Sequence, residues 1–471
     1  MKVRSPEFKQ RATAALSEPS LQKALRQGKA GFQGKRAQAI SLVPEWQQIR
    51  ADAKVMKDHT LENLDHYLLQ YEAAVQANGG QVHWAATAED ANRIITELCL
   101  SNEAKLVVKG KSMVSEEVAL NDALIAAGVE TVETDLGEYI IQLADEPPSH
   151  IIAPASHKTK EQITDLFEKA HGGPRIEDRV GLVTQARQVL REKFMSADIG
   201  ITGANLLVAE TGQHLLVTNE GNGDLCSSVP KVQIVITSID KVVPSLEDAA
   251  ATIRLLARSG TGQHISNYTS LYGGPRAADE LDGPEQYHVV LVDNGRSTML
   301  GNAFKDMLRC IRCGACMNHC PVYGNIGGHA YGWVYPGPMG SVLTPNMVGL
   351  EHTLDLPNAC TLNGRCAEVC PMSIPLPDLL REHRRLQFQR GLGKPLSRGA
   401  LAVWASAAKK PKLYQALSRP AIKLMGFFAP KRGAYKKLPG LGGWTSQRDL
   451  PAPQGDTFMA QWQKQQKADK Q

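Results

Sequence analysis

Seven of the nine cysteines in this chain fall between Cys310 and Cys370, in two runs that each end in Cys-Pro. The first reads Cys310-Ile-Arg-Cys313-Gly-Ala-Cys316-Met-Asn-His-Cys320-Pro321, a complete C-x2-C-x2-C-x3-C-P pattern. The second reads Cys360-Thr-Leu-Asn363-Gly-Arg-Cys366-Ala-Glu-Val-Cys370-Pro371 and fits the same template, with Asn363 where a cysteine would stand. Such spacing dictates a local fold. Three thiolates at two-residue intervals converge on one inorganic cluster from a single tight loop. The fourth, followed by Pro, points away as a helix begins and ligates the neighbouring cluster.

The pattern predicts two iron–sulfur clusters. Cluster one, [4Fe–4S], is expected on Cys310, Cys313, Cys316 and Cys370. Cluster two is expected on Cys320, Cys360 and Cys366, with the slot of Asn363 vacant. Zinc is the rival cation, but its sites favour two separated Cys-x2–4-Cys pairs, or Cys with His. The vacant slot has three readings. Cluster two is [3Fe–4S], with one corner missing. Alternatively it is [4Fe–4S] with water, another oxygen or Asn363 on the fourth iron, or a cysteine arrives from elsewhere. Cys99 ends an amphipathic helix and reads as core, whereas Cys226, in a polar loop, is the better-placed donor.

The rest of the chain bounds the setting. Its 471 residues have room for two to four domains. Cysteines this few and this clustered read as metal ligands in a reducing compartment, not as a disulfide scaffold. The first residues, Met1-Lys2-Val3-Arg4-Ser5-Pro6-Glu7, lead into a charged stretch with no apolar signal-peptide core. No run approaches the ~20 apolar residues of a membrane span. The expectation is a cytoplasmic protein, with peripheral contact at the inner membrane face left open.

Four segments are predicted. Residues 1–75 are helical, with Glu62, Asn63, Leu64, Tyr67, Leu68, Tyr71 and Val75 at helical spacing and Asn78-Gly79-Gly80 as the stop. Residues 76–296 read as an α/β domain. Strands are expected at Val82–Ala85, Lys105–Val108, Val129–Thr134, His150–Ala153, Val232–Thr237 and His288–Val292, and Ala197–Gly203 reads as a short element with two glycines. Asn205–Val208 and His214–Thr218 read as a hairpin within the same mixed sheet of seven or more strands. Helices are expected over 88–100 and 114–127. Residues 297–390 carry the cysteines. The Gly- and Pro-rich stretch between the two runs is expected to wrap a cofactor, not to build a core, and a helix is expected over 375–390. Residues 391–471 form a basic tail with short helical pieces at most.

Between Gly391 and Arg448 stand twelve Lys and Arg and no Asp or Glu, which sets the remainder at −7 against the overall +5. Ala421–Phe428 mixes Lys with Ile, Leu, Met and two Phe. The tail suits anionic lipid, an acidic protein partner or plain solvation. No nucleic-acid-binding fold accompanies it.

Strand ends in the α/β part carry polar clusters. Val108-Lys109-Gly110-Lys111-Ser112 resembles a phosphate loop but lacks the first glycine, where Lys105 stands. It reads either as an anion site at a helix start or as a solvated end with a capping serine. Glu133, Asp135 and Glu138 follow one strand and Glu220 another, where open α/β sheets bind ligands. Turn-forming loops are the bland alternative. No GxGxxG follows a strand, so no dinucleotide site is supported, and no catalytic residue is assigned.

At these residues the chain resembles the lactate-utilisation iron–sulfur subunits of the LutB type. The resemblance is carried by Val108–Ser112, Glu133–Tyr139, Pro148-Ser149-His150-Ile151, Ile201–Asn205, Thr218–Asn222 and the cysteine block with Tyr335-Pro336-Gly337-Pro338. It implies a LUD domain, of the ribose-isomerase and CoA-transferase-like α/β fold, followed by an α-helical two-cluster ferredoxin-like domain. It also implies electron transfer in the oxidation of L-lactate to pyruvate, beside a cysteine-rich iron–sulfur partner subunit and a second LUD protein. Members commonly carry Ser-x-x-Cys where this chain has Cys360-x-x-Asn363, and either arrangement leaves three thiolates. The alternatives are service to another 2-hydroxy acid such as glycolate, or a LUD domain acting as an independent small-molecule enzyme.

Overall fold

The computed structural model describes residues 3–437, 445 and 448–469. They form two compact units, Met1–Arg390 and Gly391–Gln471. The first unit opens with four helices, α1 (Phe8–Leu16), α2 (Pro19–Ser41), α3 (Trp46–Glu62) and α4 (Leu64–Ala77). Helix α4 buries Leu64, Leu68, Tyr71 and Val75 on one stripe. It stops before Gly79, whose φ of +85° is a left-handed geometry that glycine adopts without strain.

Ten strands follow: β1 (Gln81–Ala85), β2 (Leu106–Lys109), β3 (Glu130–Glu133), β4 (Ile199–Thr202), β5 (Leu206–Val208), β6 (Gln213–Thr218), β7 (Val232–Ser238), β8 (Val242–Val243), β9 (Tyr268–Tyr272) and β10 (Gln286–Val292). Six of them make a parallel sheet in the order β1-β10-β7-β4-β2-β3. All of β7 and nearly all of β10 are buried. Such continuous Val/Ile-rich runs suit a parallel sheet covered on both faces. From β2 the chain moves outward to β3. From β4, on the other side of β2, it moves towards β7. The carboxyl ends of β2 and β4 therefore flank a topological switch point, where open α/β sheets form a crevice.

The expected single sheet is in fact two. The hairpin β5–β6 joins β8 and β9 in a separate mixed sheet, β8-β5-β6-β9. Only Gly203, Ala204 and Asn205 separate β4 from β5, too few for a parallel crossover. Both edges of β4 are already taken by β2 and β7, so β5 has to leave. The helix expected over 114–127 is broken into Met113–Glu117 and Leu120–Ala126 by Ala119, at φ +58°. His150–Ala153 is not a strand. The His150 Nδ1 accepts the backbone N–H groups of Ile152 and Ala153, at 3.0 and 3.2 Å, and so curls the chain.

The Gly- and Pro-rich stretch between the cysteine runs also departs from expectation. It builds core: Trp333, Val334, Tyr335, Met339, Val342 and Leu343 are buried. Its glycines permit close approach. A Cβ on Gly328 would stand 1.8 Å from the Ser149 carbonyl oxygen. The helix Leu376–Gln389 closes the unit.

The second unit holds helices Pro395–Ala408, Pro411–Phe427 and Phe458–Ala468, and a two-strand ladder of Ala434–Tyr435 with Leu450–Pro451. The first two helices are longer than the short pieces expected. Pro395 and Pro411 stand in the first turn, where a missing N–H forfeits no helical bond. Among the described residues no helix is long and apolar enough to cross a membrane.

Candidate metal centre

The two cysteine runs fold alike. Arg312 and Leu362 take φ of +59° and +56°, and Gly314 and Gly364 take +73° and +84°. Each run then enters a one-turn helix, Ala315–Asn318 or Arg365–Glu368. Cys313 and Asn363 thus hold equivalent positions, the first buried and the second exposed. The Asn363 Oδ1 accepts the Arg365 N–H at 3.3 Å.

Cys310, Cys313, Cys316 and Cys370 line one small cavity, walled by apolar groups that include Ile151, Met307, Met339 and Ile374. The other three thiols act on one another. Burial, then Cys360 and Cys320, push the Cys366 thiol up to about 12. Burial also raises Cys320, with Cys360 adding to it. Crowded, buried thiols resist ionising until a metal's positive charge offsets them, so both donor sets fit iron–sulfur ligation. Backbone N–H groups also reach sulfur. Cys320, Cys360 and Cys370 accept from Tyr323, Leu362 and Ile374 at 3.4, 3.3 and 3.5 Å. Bonds of this kind tune a cluster's potential.

The two remaining cysteines pack elsewhere. Cys99 lies in the core on one side of the parallel sheet. Cys226, expected in a polar loop, is buried on the helix Asn222–Ser228. Its sulfur lies 3.3 Å from the Thr134 hydroxyl, and burial pushes the thiol up to about 12. Both belong to apolar groups separate from the one that contains the other seven.

Residues far away in sequence hold the cysteine loops. From α2, Gln33 donates to the Asn318 carbonyl at 2.7 Å and Arg36 to that of Val369 at 2.9 Å. From α3, Arg50 donates to the Cys370 carbonyl at 2.6 Å. Arg384 donates to that of Cys360 at 2.7 Å. His150 Nε2 lies 3.1 Å from Asn318 Oδ1, between Cys316 and Cys320. Burial pulls this imidazole down to about 4. With Nδ1 accepting, the neutral ring donates through Nε2. Sequence reasoning missed all these anchors except His150, which it placed on a strand.

The strand-end groups separate into two sets. Lys109 is sealed in, with Nζ 2.7 Å from Glu133, 3.0 Å from Glu116 and 2.8 Å from the Ser115 hydroxyl. Burial lowers its pKa, but Glu133 and Glu116 more than offset that and raise it. Glu138 is buried beside them, and burial followed by Glu116 and Glu133 raises its carboxyl well above the usual range. Ser112 caps a short helix through the Ser115 N–H, and Asp135 caps the helix Leu136–Leu143.

Lys111, Asp135 and Glu220 belong to the other set and line a cavity of about 270 Å³ at the β2/β4 switch point. Burial, then Asp135, raise the Glu220 carboxyl. Lys241, Arg312 and Tyr335 line the same cavity, so the α/β half and the first cysteine loop share it. A buried chain of polar contacts joins these halves. The Tyr335 hydroxyl donates to Glu117 at 2.7 Å. Glu117 takes both Arg296 terminal nitrogens, at 2.9 and 2.6 Å. Arg296 Nε reaches Asp240 at 3.0 Å, and Asp240 lies 3.7 Å from Arg312. The Arg312 guanidinium stacks 5.2 Å above the Tyr335 ring centroid.

Comparison with known proteins agrees with this layout. The LUD domain family matches residues 68–292, the 4Fe-4S dicluster domain residues 306–374, and the C-terminal domain of lactate utilisation protein B residues 381–467. Lactate utilization protein B of Anoxybacillus flavithermus is 42% identical over 467 residues, 99% of each chain. Its Bacillus licheniformis namesake is 43% identical over 461 residues, 97% of this chain and 96% of its own. An Escherichia coli protein described as an uncharacterized electron transport protein, YkgF, is 40% identical over 470 residues, 100% of this chain and 99% of its own.

Proposed function

The chain belongs to the lactate utilization protein B family, with an iron–sulfur electron-transfer role in lactate utilisation, and from that premise we propose that it serves the oxidation of L-lactate to pyruvate as the electron-carrying subunit of a complex. The observation that carries this reading is the gathering of seven thiols from two loops into a set of four around one cavity and a set of three that act on one another, with the first of these loops also bordering the cavity of the α/β part. In this reading Cys310, Cys313, Cys316 and Cys370 hold a [4Fe–4S] cluster, and Cys320, Cys360 and Cys366 hold the second. Bound clusters of this kind each take up and release one electron at a time.

The protein's own residues do the rest. Arg36, Arg50 and Arg384 fix the cysteine loops through backbone carbonyls. Ile151, Met307, Met339 and Ile374 keep water from the first thiol set. The proposed neighbours are a cysteine-rich iron–sulfur subunit and a second LUD protein, in the cytoplasm.

Deletion of the chain from a strain with no other L-lactate oxidase tests this reading. Growth on L-lactate is expected to fail, while growth on glycolate is unchanged. Intact growth on L-lactate would overturn the reading. Loss on glycolate alone would assign the chain to the other hydroxy acid.

A further inference from the structure

The cavity at the β2/β4 switch point contains polar groups that the protein itself leaves unmatched. Lys241 is only 6% exposed, and no hydrogen bond or ion pair within 4 Å reaches its ammonium among the described residues. Arg312 Nη1 is buried without a hydrogen-bond partner, and so are the hydroxyls of Thr202 and Thr218. All four side chains line the cavity. Asp240 lies 3.7 Å from Arg312 and its charge also acts on Lys241, but this one carboxylate is shared with Arg296 as well, so positive charge is left over at the cavity and suits an anion.

Charge limits the kind of anion. Lys111, Lys241 and Arg312 face the cavity against Asp135 and Glu220, a balance of one positive charge. A monoanion matches it, whereas a phosphate dianion would meet the two carboxylates. Size limits it too. A cavity of about 270 Å³ lies just below the ~300–1,000 Å³ that drug-sized ligands occupy, too small for a dinucleotide. Thr202 and Thr218 offer hydroxyl partners for a neutral oxygen on the same small molecule.

We propose that this cavity binds a small 2-hydroxy or 2-oxo monocarboxylate, its carboxylate taken by Lys241 and Arg312 and its second oxygen by the threonine hydroxyls. The assignment rests on the reading of the chain as part of a lactate-oxidising system, and it adds the place where the acid sits. Arg312 stands between Cys310 and Cys313, so the acid binds against the loop that carries the first thiol set.

Calorimetric titration of the anaerobically purified full-length protein with L-lactate, pyruvate and inorganic phosphate tests the site. L-lactate or pyruvate is expected to bind, and phosphate is not. Lys241→Met and Thr218→Val are each expected to weaken binding, the first by about tenfold or more, with iron content and visible absorbance unchanged. Neither Lys241 nor Thr218 forms a hydrogen bond to a cysteine loop among the described residues, and unchanged iron content with unchanged absorbance shows that the cysteine region of a variant is intact. If neither acid binds, if phosphate binds as well as they do, or if both variants bind like the unaltered protein, the assignment is overturned. These outcomes are independent of the growth test. A deletion strain that fails on L-lactate, from a protein that binds neither acid, removes the cavity assignment and leaves the electron-transfer reading standing. A protein that binds the acid in a strain whose growth is unaffected does the reverse.

Discussion

At the scale of single residues the most informative position is Asn363. The backbone around it repeats the backbone around Cys313, down to the left-handed residue before and the left-handed glycine after. The position is therefore built for a ligand, yet its carbonyl oxygen takes the Arg365 N–H and its side chain faces solvent. An amide so placed is a weak substitute for a thiolate, which soft iron prefers. Three thiolates then suit a [3Fe–4S] cluster, and anaerobically purified protein is expected to hold about seven irons per chain and give a [3Fe–4S] paramagnetic signal when oxidised. Asn363→Cys completes the pattern. It should raise iron to about eight per chain and abolish that signal. Equal iron content in the two proteins would show that the fourth corner is already filled by another group. Cys226 is not that group, since its sulfur is buried against Thr134.

At the scale of elements, the N-terminal helices act as a clasp on the cysteine loops. Arg50 on α3 donates to the carbonyls of Cys370 and Glu368 at 2.6 and 3.3 Å. A hydrogen bond from a charged donor contributes ~1.5–3 kcal/mol when shielded, and less where water competes. Arg50→Ala is expected to cost about 1–2 kcal/mol in urea unfolding and to hasten loss of visible absorbance in air, while Arg50→Lys retains part of both. An unchanged bleaching rate would remove the clasp. Much of this level was legible in the sequence. The apolar stripe of α4 and the Val/Ile runs of β2, β7 and β10 announce themselves by period and by composition. What failed did so for local reasons. The strand expected at His150–Ala153 is undone by one imidazole that binds two backbone N–H groups. The long helix over 114–127 breaks at Ala119, which no propensity marks. The short β8 and the polar β9 exist only because β5 and β6 offer them edges. The tail helices were undervalued because proline reads as a breaker, although Pro395 and Pro411 begin their helices.

At the scale of the whole first unit, pairing across long separations decides the structure, and a single sequence has no pattern for it. Phe8, Trp46 and Ile49 share one apolar core with Met307, Tyr323 and Trp333. The grouping of Cys310, Cys313, Cys316 and Cys370 around one cavity could be anticipated in the sequence because these residues lie within one motif or the next. Arg36, Arg50 and Lys241 could not be anticipated, because each acquires meaning from a segment far along the chain. The strongest such link is Arg296. It is fully buried between Glu117 and Asp240, each of which also approaches a residue of the cysteine region, Tyr335 or Arg312. Replacing a buried pair wholesale can be neutral, but removing one member strands the other charge at ~3–5 kcal/mol. Arg296→Met leaves Glu117 without its cation, while Asp240 keeps only the more distant Arg312, and is expected to cost about that much. Its destabilisation should appear in probes of both halves, the infrared β-sheet band, to which the α/β part contributes β1 to β10, and the visible absorbance of the cysteine region. Adding Glu117→Gln keeps an acceptor for the Tyr335 hydroxyl and removes one stranded charge. The double variant should therefore be more stable than Arg296→Met alone, a non-additivity expected only of groups in one network. Additive losses would mean that Arg296 and Glu117 support the two halves independently. A loss confined to the α/β signal would mean that the chain of contacts ends at Asp240 and never reaches the cysteine loop.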